Sequence, residues 1–243
     1  MRMLTLASRN TKEILRDPLT LFFGLGFPLV LILLLSAIQA NIPVSLFEIQ
    51  HLSPGITVFG LSFMTLFSAT ILAKDRGSSL LQRLYTTPLT PTNFIMAYTL
   101  PIIPISVVQC IICYIAAIVL GLEISLNILY AVLFIVPVSI LYIALGLLCG
   151  SVLNDKQVGG ICGALLTNLS AWLSGIWFDL NLVGGIFKKA AYVLPFVHAV
   201  DMERAVLAGD FAGIFPHLWW VLGYAAVLLI LAVFMFLRQM KKQ

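Results

Sequence analysis

Charge is what this chain has least of. Aspartate, glutamate, lysine and arginine make up 10% of its 243 residues, against 61% hydrophobic residues. A soluble domain is roughly a quarter charged and half apolar. So little polar surface excludes a water-soluble globule of this length. The mean hydropathy of +1.07 instead makes a bilayer the solvent. A second scarcity narrows the function. No Asp, Glu, Lys, Arg or His lies well inside the long apolar runs, whereas ion- and proton-coupled carriers keep ionisable groups there despite their cost. No Gly-Lys dipeptide occurs anywhere, so the chain has no P-loop and no nucleotide site of that kind. No nucleophile–base pair or carboxylate dyad is placed in the apolar runs, which argues against a membrane enzyme.

Cysteine is also sparse. Cys110, Cys113, Cys149 and Cys162 lie in or at the ends of apolar runs and read as packed thiols, without a disulfide framework. Cys110-x-x-Cys113 has the form of a metal or redox pattern but no second pair beside it. His51, His198 and His217 fall in three separate segments, which argues against a metal centre. No cleavable signal peptide is apparent, because the first long apolar run starts only after Pro18.

What is present is a series of runs long enough to span. Each crossing takes roughly 20 apolar residues. Six runs qualify: Leu19–Ile38, Pro54–Ala73, Thr92–Gly121, Leu126–Gly150, Val158–Phe178 and Leu218–Leu237. Pro101 and Pro104 should kink the third and Pro137 should bend the fourth. Gly159 and Gly163 have the small-xxx-small spacing that admits a neighbouring helix, or else mark a loosely started helix. Six crossings put both termini on one side. With the termini and residues 74–91 and 154–157 inside, eleven of the 14 basic residues are cytoplasmic, as the positive-inside rule requires. Nothing in this charge pattern calls for nucleic acid.

Two short segments are amphipathic. Residues 1–17 carry a stripe of Leu4, Ala7, Thr11 and Ile14 opposite Arg2, Arg9, Lys12, Glu13 and Arg16. This pattern predicts an interfacial helix ended by Pro18. In the loop 74–91, Leu80, Leu81, Leu84 and Tyr85 share one helical face, suited to a membrane surface or to a groove on a partner. Residues 179–216 are too apolar for a solvated loop. They are too interrupted by Gly184-Gly185, Lys188-Lys189 and Pro195 for a span. A re-entrant hairpin on the outer side is the expectation, with Asp201, Glu203 and Arg204 near its exit.

Three places carry a resemblance across the whole chain. They are Arg16-Asp17-Pro18 with Phe27-Pro28; Asp75-Arg76-Gly77, Leu80–Leu84 and Thr87-Pro88-Leu89-Thr90; and Leu194 to Asp201 with Arg204. In order and spacing the chain resembles the permease subunits of ABC transporters of the type-2 exporter class, whose fold is shared with the G-subfamily of eukaryotic ABC transporters. Where members often have a glutamate-rich lead into the loop glycine, this chain has Lys74-Asp75-Arg76.

The resemblance implies an all-α permease domain over residues 1–243, with six spans and both termini cytoplasmic, in a prokaryotic plasma membrane. It implies a coupling helix in the first cytoplasmic loop, seated on a separate P-loop ATP-binding subunit. Leu80, Leu81, Leu84 and Tyr85 would anchor it, with Arg76 and Arg83 at the rim. ATP and magnesium would be held by that partner, and no cofactor by this chain. It also implies a second permease copy, with the second and fifth spans flanking the cargo route. Those spans hold Ser62, Thr65, Thr167 and Asn168, the aromatic row Phe59, Phe63 and Phe67 at i, i+4 and i+8, and Trp172 and Trp177. The hydroxyls and amide could line a path for an amphipathic or hydrophobic cargo such as a drug, peptide or lipid. They could equally hydrogen-bond neighbouring helices, each such bond contributing about 0.6 kcal/mol. A secondary carrier or channel without an ATPase is the alternative.

Overall fold

The computed structural model describes residues 2–42, 44–78 and 91–240, and within them every regular element is helical. Helix α1 runs Arg2–Leu15. The chain then turns sharply because Asp17 caps the next helix and Pro18 starts it. Asp17 accepts from the Thr20 amide at 3.2 Å and the Thr20 hydroxyl at 2.7 Å, and a proline in the first turn loses no helical hydrogen bond. The Thr20 hydroxyl holds the Asp17 carboxyl below its ordinary pKa.

Helix α2, Pro18–Asn41, is continuous through a π-helical stretch at Phe22–Gly26, just before Pro28. Gly24 sits in this stretch because a Cβ there would come 2.6 Å from the Phe67 ring. Helix α3, Ile49–Gly77, is the centre of the bundle, with most of its length buried. The third apolar run is interrupted at Leu100–Pro101, the first of the two prolines where the sequence predicts a kink. This break separates α4, Pro91–Thr99, from α5, Ile102–Val119. Helix α6, Leu126–Val152, runs without interruption through Pro137.

The tightest seam lies between α3 and α6. A Cβ on Gly146 would meet the Ser68 Oγ at 1.9 Å, and one on Gly150 the Ala69 carbonyl at 2.6 Å. The Thr65 hydroxyl donates across this seam to the Tyr142 carbonyl at 2.8 Å. The small-xxx-small contact is therefore made by Gly146 and Gly150. Gly159 has nothing within 4 Å of a Cβ, and Gly163 meets only the ends of Leu66 at ordinary distance. Of the two readings of Gly159 and Gly163, the loosely started helix is the one that the π-helical stretch fits within this chain; spacing admits close approach but does not choose the helix that approaches.

The fifth apolar run is built in pieces. Helix α7, Asp155–Val158, leads into a π-helical stretch, Gly159–Leu166, and then α8, Thr167–Leu173. Asn154 starts it with a capping box that includes Gln157. Lys156, Gln157 and Asn168 lower its hydropathy, and it is not among the five helices long and apolar enough to cross a membrane. Those five are Pro18–Asn41, Ile49–Gly77, Asn93–Val119, Leu126–Val152 and Phe211–Arg238.

Beyond it come α9, Leu180–Val183, α10, Gly185–Val193, and α11, Pro195–Ala208. Helix α11 is buried along most of its length and packs on α3, α6 and α12. Gly209, at φ 76°, ends α11 in the left-handed conformation that glycine adopts without strain. Helix α12 then runs Phe211–Met240. The last helix thus begins before Leu218 and takes in Pro216, so residues 211–216 are not part of the segment that precedes it.

Helix α1 departs from the expected pattern. Leu6, Ala7, Asn10 and Ile14 are its buried residues, while Leu4 is 62% exposed. The face packs against α4 because Asn10, in its middle, donates to the Ala97 carbonyl at 3.1 Å and so can be buried without penalty.

Candidate functional site

The last turn of α3 leads into residues 79–90, and two neighbouring side chains fix it. Asp75 is 2% exposed. It accepts from the Arg9 guanidinium of α1 at 2.5 Å and from the Tyr98 hydroxyl of α4 at 2.6 Å. Arg9 also pairs with Glu13, one turn on, at 2.7 Å. The hydrogen bond to Asp75 raises the Arg9 pKa above its ordinary value. A buried carboxylate is tolerable when it is paired and hydrogen-bonded in this way.

Arg76, the next residue, points elsewhere. Its guanidinium donates to the carbonyls of Ser151 and Leu153, the latter at 2.6 Å. These are carbonyls at the end of α6, where a helix has no acceptors' partners of its own and where a cation is favoured. Three elements, α1, α4 and the end of α6, are thereby tied to one turn of α3. Arg76 was singled out from the sequence, and here it binds backbone. Leu80, Leu81, Arg83, Leu84 and Tyr85 lie outside the described residues.

The residues proposed for a cargo path separate into two groups. Phe59, Phe63 and Phe67 are each 6% exposed or less. They form one aromatic column with α2: Phe63 stands 6.0 Å from Phe23 and 5.7 Å from Phe27, and Phe59 is 5.8 Å from Trp177. Thr65 is 1% exposed in the α3–α6 seam, and Thr167 is 5% exposed with its hydroxyl on the Cys162 carbonyl at 3.0 Å. Asn168 and Trp172 are exposed, at i and i+4 on α8. Asn168 bonds its own helix at the Ala164 carbonyl, 2.8 Å away.

At the other end of the bundle, Arg204 of α11 reaches the Gly175 carbonyl at 3.3 Å, the His51 carbonyl at 3.4 Å and Asp201 at 3.6 Å. They border an open depression of about 870 Å³ that also includes Glu48, Trp177 and Asp179. His198 and His217, far apart in sequence, meet with their Nδ1 atoms 2.9 Å apart. His198 Nε2 lies 3.0 Å from the Tyr192 carbonyl, which can only accept, so that nitrogen carries a proton. Among the described residues no three His, Cys, Asp or Glu side chains gather as metal ligands.

Sequence reasoning missed this histidine pair, because nothing local links α11 to α12. It also placed Glu203 near a polar exit. The structure buries Glu203 completely. The signal was legible: Glu203 falls on the same helical stripe as Phe196, Ala199, Val200 and Val206, all buried.

Among the described residues, five apolar helices, a buried α3 and four others, define a multi-pass membrane protein. A family model for the ABC-2 type transporter matches residues 1–208, and the chain belongs to that family. It is the membrane-embedded permease component of an ABC transporter, and the family implies an ATP-binding partner and a lipid bilayer. A search of curated proteins gives no match.

Proposed function

We propose that this chain forms, with a second permease copy, the translocation path of an ATP-driven exporter of amphipathic or hydrophobic cargo. The observation that carries the reading is the anchoring of the last turn of α3, just before residues 79–90. Asp75 ties that turn to α1 and α4, and Arg76 ties it to α6. A force applied to the loop by an ATP-hydrolysing partner would act on three elements at once. In this reading residues 1–243 are one permease domain and the segment Val158–Phe178 is a sixth crossing. Both termini are cytoplasmic, as the basic residues favour, in a prokaryotic plasma membrane.

Helices α9 to α11 form the re-entrant segment on the outer side, and α1 lies along the cytoplasmic interface. Leu80, Leu81, Leu84 and Tyr85 seat the loop on the ATP-binding subunit, with Arg83 at the rim, while Arg76 holds the loop's root. That partner supplies ATP and magnesium, and this chain holds no cofactor. The exposed Asn168 and Trp172 offer a charge-free lining, which suits an amphipathic or hydrophobic cargo better than an ion, whereas the Phe59–Phe63–Phe67 column is packed against α2.

The test is expression with the ATP-binding subunit. Leu84→Asp or Tyr85→Asp puts a desolvated carboxylate in an apolar groove at a cost of several kcal/mol. Either should abolish co-purification and transport while membrane insertion survives. Unchanged co-purification and transport in both variants would refute the docking. For the path, Asn168→Ala and Trp172→Ala should change the apparent affinity of cargo-stimulated ATP hydrolysis and leave basal hydrolysis near normal.

A further inference from the structure

Glu203 is 0% exposed, and neither carboxyl oxygen makes a well-formed hydrogen bond. Among the described residues no cation pairs with it. The Tyr114 hydroxyl of α5 reaches it, itself buried and without another partner, and Cys110 lies one turn away on the same helix. The charged groups nearby are occupied elsewhere. Arg204, the next residue, turns to Asp201 and to backbone carbonyls. His217 of α12, His198 of α11 and His51 of α3 act electrostatically on Asp201. Tyr192 of α10 lies on the Asp201–Arg204 side, and Tyr142 of α6 stands 6.1 Å from Phe196.

An ionised carboxylate buried without a partner carries a desolvation cost that a protein avoids by keeping the group neutral. A neutral carboxyl has an O–H to donate, and Tyr114 supplies an oxygen to receive it. We infer that Glu203 is a resident proton-binding site, a neutral carboxylic acid held against the Tyr114 hydroxyl inside the bundle.

Glu203 lies outside the five spanning helices, and burial pushes its carboxyl well above the ordinary carboxylate range. Any step that lets water reach it must therefore release a proton. Raising the pH above the exposed value of about 4.3 favours such a step up to tenfold per pH unit, until the buried group itself ionises. The site is independent of how residues 79–90 meet the ATP-binding subunit.

Infrared difference spectroscopy on the whole permease in lipid vesicles tests it at pH 7. Wild type minus Glu203→Gln should show the C=O stretch of a protonated carboxyl, a band that moves in D₂O. Tyr114→Phe should keep that band and shift it to a higher frequency, as a lost hydrogen bond requires. If Glu203→Gln fails to assemble, wild type against Tyr114→Phe gives the same comparison through the shifted band. A carboxylate band from residue 203, or no protonated band that responds to either substitution, overturns the assignment.

Discussion

Two buried acids stand at opposite ends of one kinked helical run, each facing a tyrosine. Asp75 meets Tyr98 on α4 and Glu203 meets Tyr114 on α5. The tyrosines are separated by roughly 24 Å at 1.5 Å per residue. Their chemistry differs. Asp75 has a guanidinium at 2.5 Å and a phenol hydroxyl at 2.6 Å, so it is a paired hub that ties three elements together. Among the described residues Glu203 has no cation paired with it, and the Tyr114 hydroxyl is the one polar group that reaches it. Burial alone does not say what an acid does; the partner within reach decides between a structural ion pair and a stored proton.

The contrast sets an order of expected effects. Arg9→Leu should be the most damaging, because it leaves Asp75 buried with only a phenol. Breaking such a pair costs about 3 kcal/mol, read as a lowered midpoint in thermal inactivation of the detergent-solubilised complex. Transport per ATP hydrolysed should fall as well. A wild-type midpoint and coupling ratio would mean that the hub is ornamental. Tyr98→Phe removes a hydrogen bond to a charged group and should cost about 2 kcal/mol. Tyr114→Phe removes a bond that is barely formed and should cost less than about 1 kcal/mol. Equal losses from the two tyrosine variants would erase the distinction between the two ends.

The smallest effect at pH 7 belongs to Glu203→Gln, which exchanges one neutral group for another of similar shape. Its consequence should appear in the pH dependence. The folded-state pKa of Glu203 is raised, so its contribution is complete below the unfolded value of about 4.3 and declines as pH rises. Between pH 5 and 8 the wild-type thermal midpoint should fall relative to that of Glu203→Gln. Parallel curves would place Glu203 among ordinary ionised acids.

Much of the architecture can be read from composition and punctuation. The runs at Leu19–Ile38, Pro54–Ala73 and Leu126–Gly150 lie within helices α2, α3 and α6, because apolar length is a property of the segment itself. The break at Pro101 and the cap at Asp17-Pro18 are likewise local chemistry. Face assignments were less legible. The expected stripe on α1 included Leu4, which is exposed, and passed over Asn10, which is buried because the Ala97 carbonyl waits for it. Among several glycine pairs, the one that matters is opposite Thr65 and Ala69 of α3, and spacing carries no information about what stands opposite.

By itself the sequence determined that this chain lives in lipid, that it is helical, which end of each run is basic, and that these 243 residues hold no P-loop motif. Each of these is a sum or a pattern over neighbouring residues, and the free energy of leaving water is such a sum. Only the tertiary structure decided that Arg9 belongs to Asp75, that Arg76 belongs to the end of α6, that His198 finds His217, and that Glu203 is sealed from water. Those pairings join residues far apart in the chain. The geometry that joins them exists only after the helices have packed, when each buried polar group must find its partner or give up its charge.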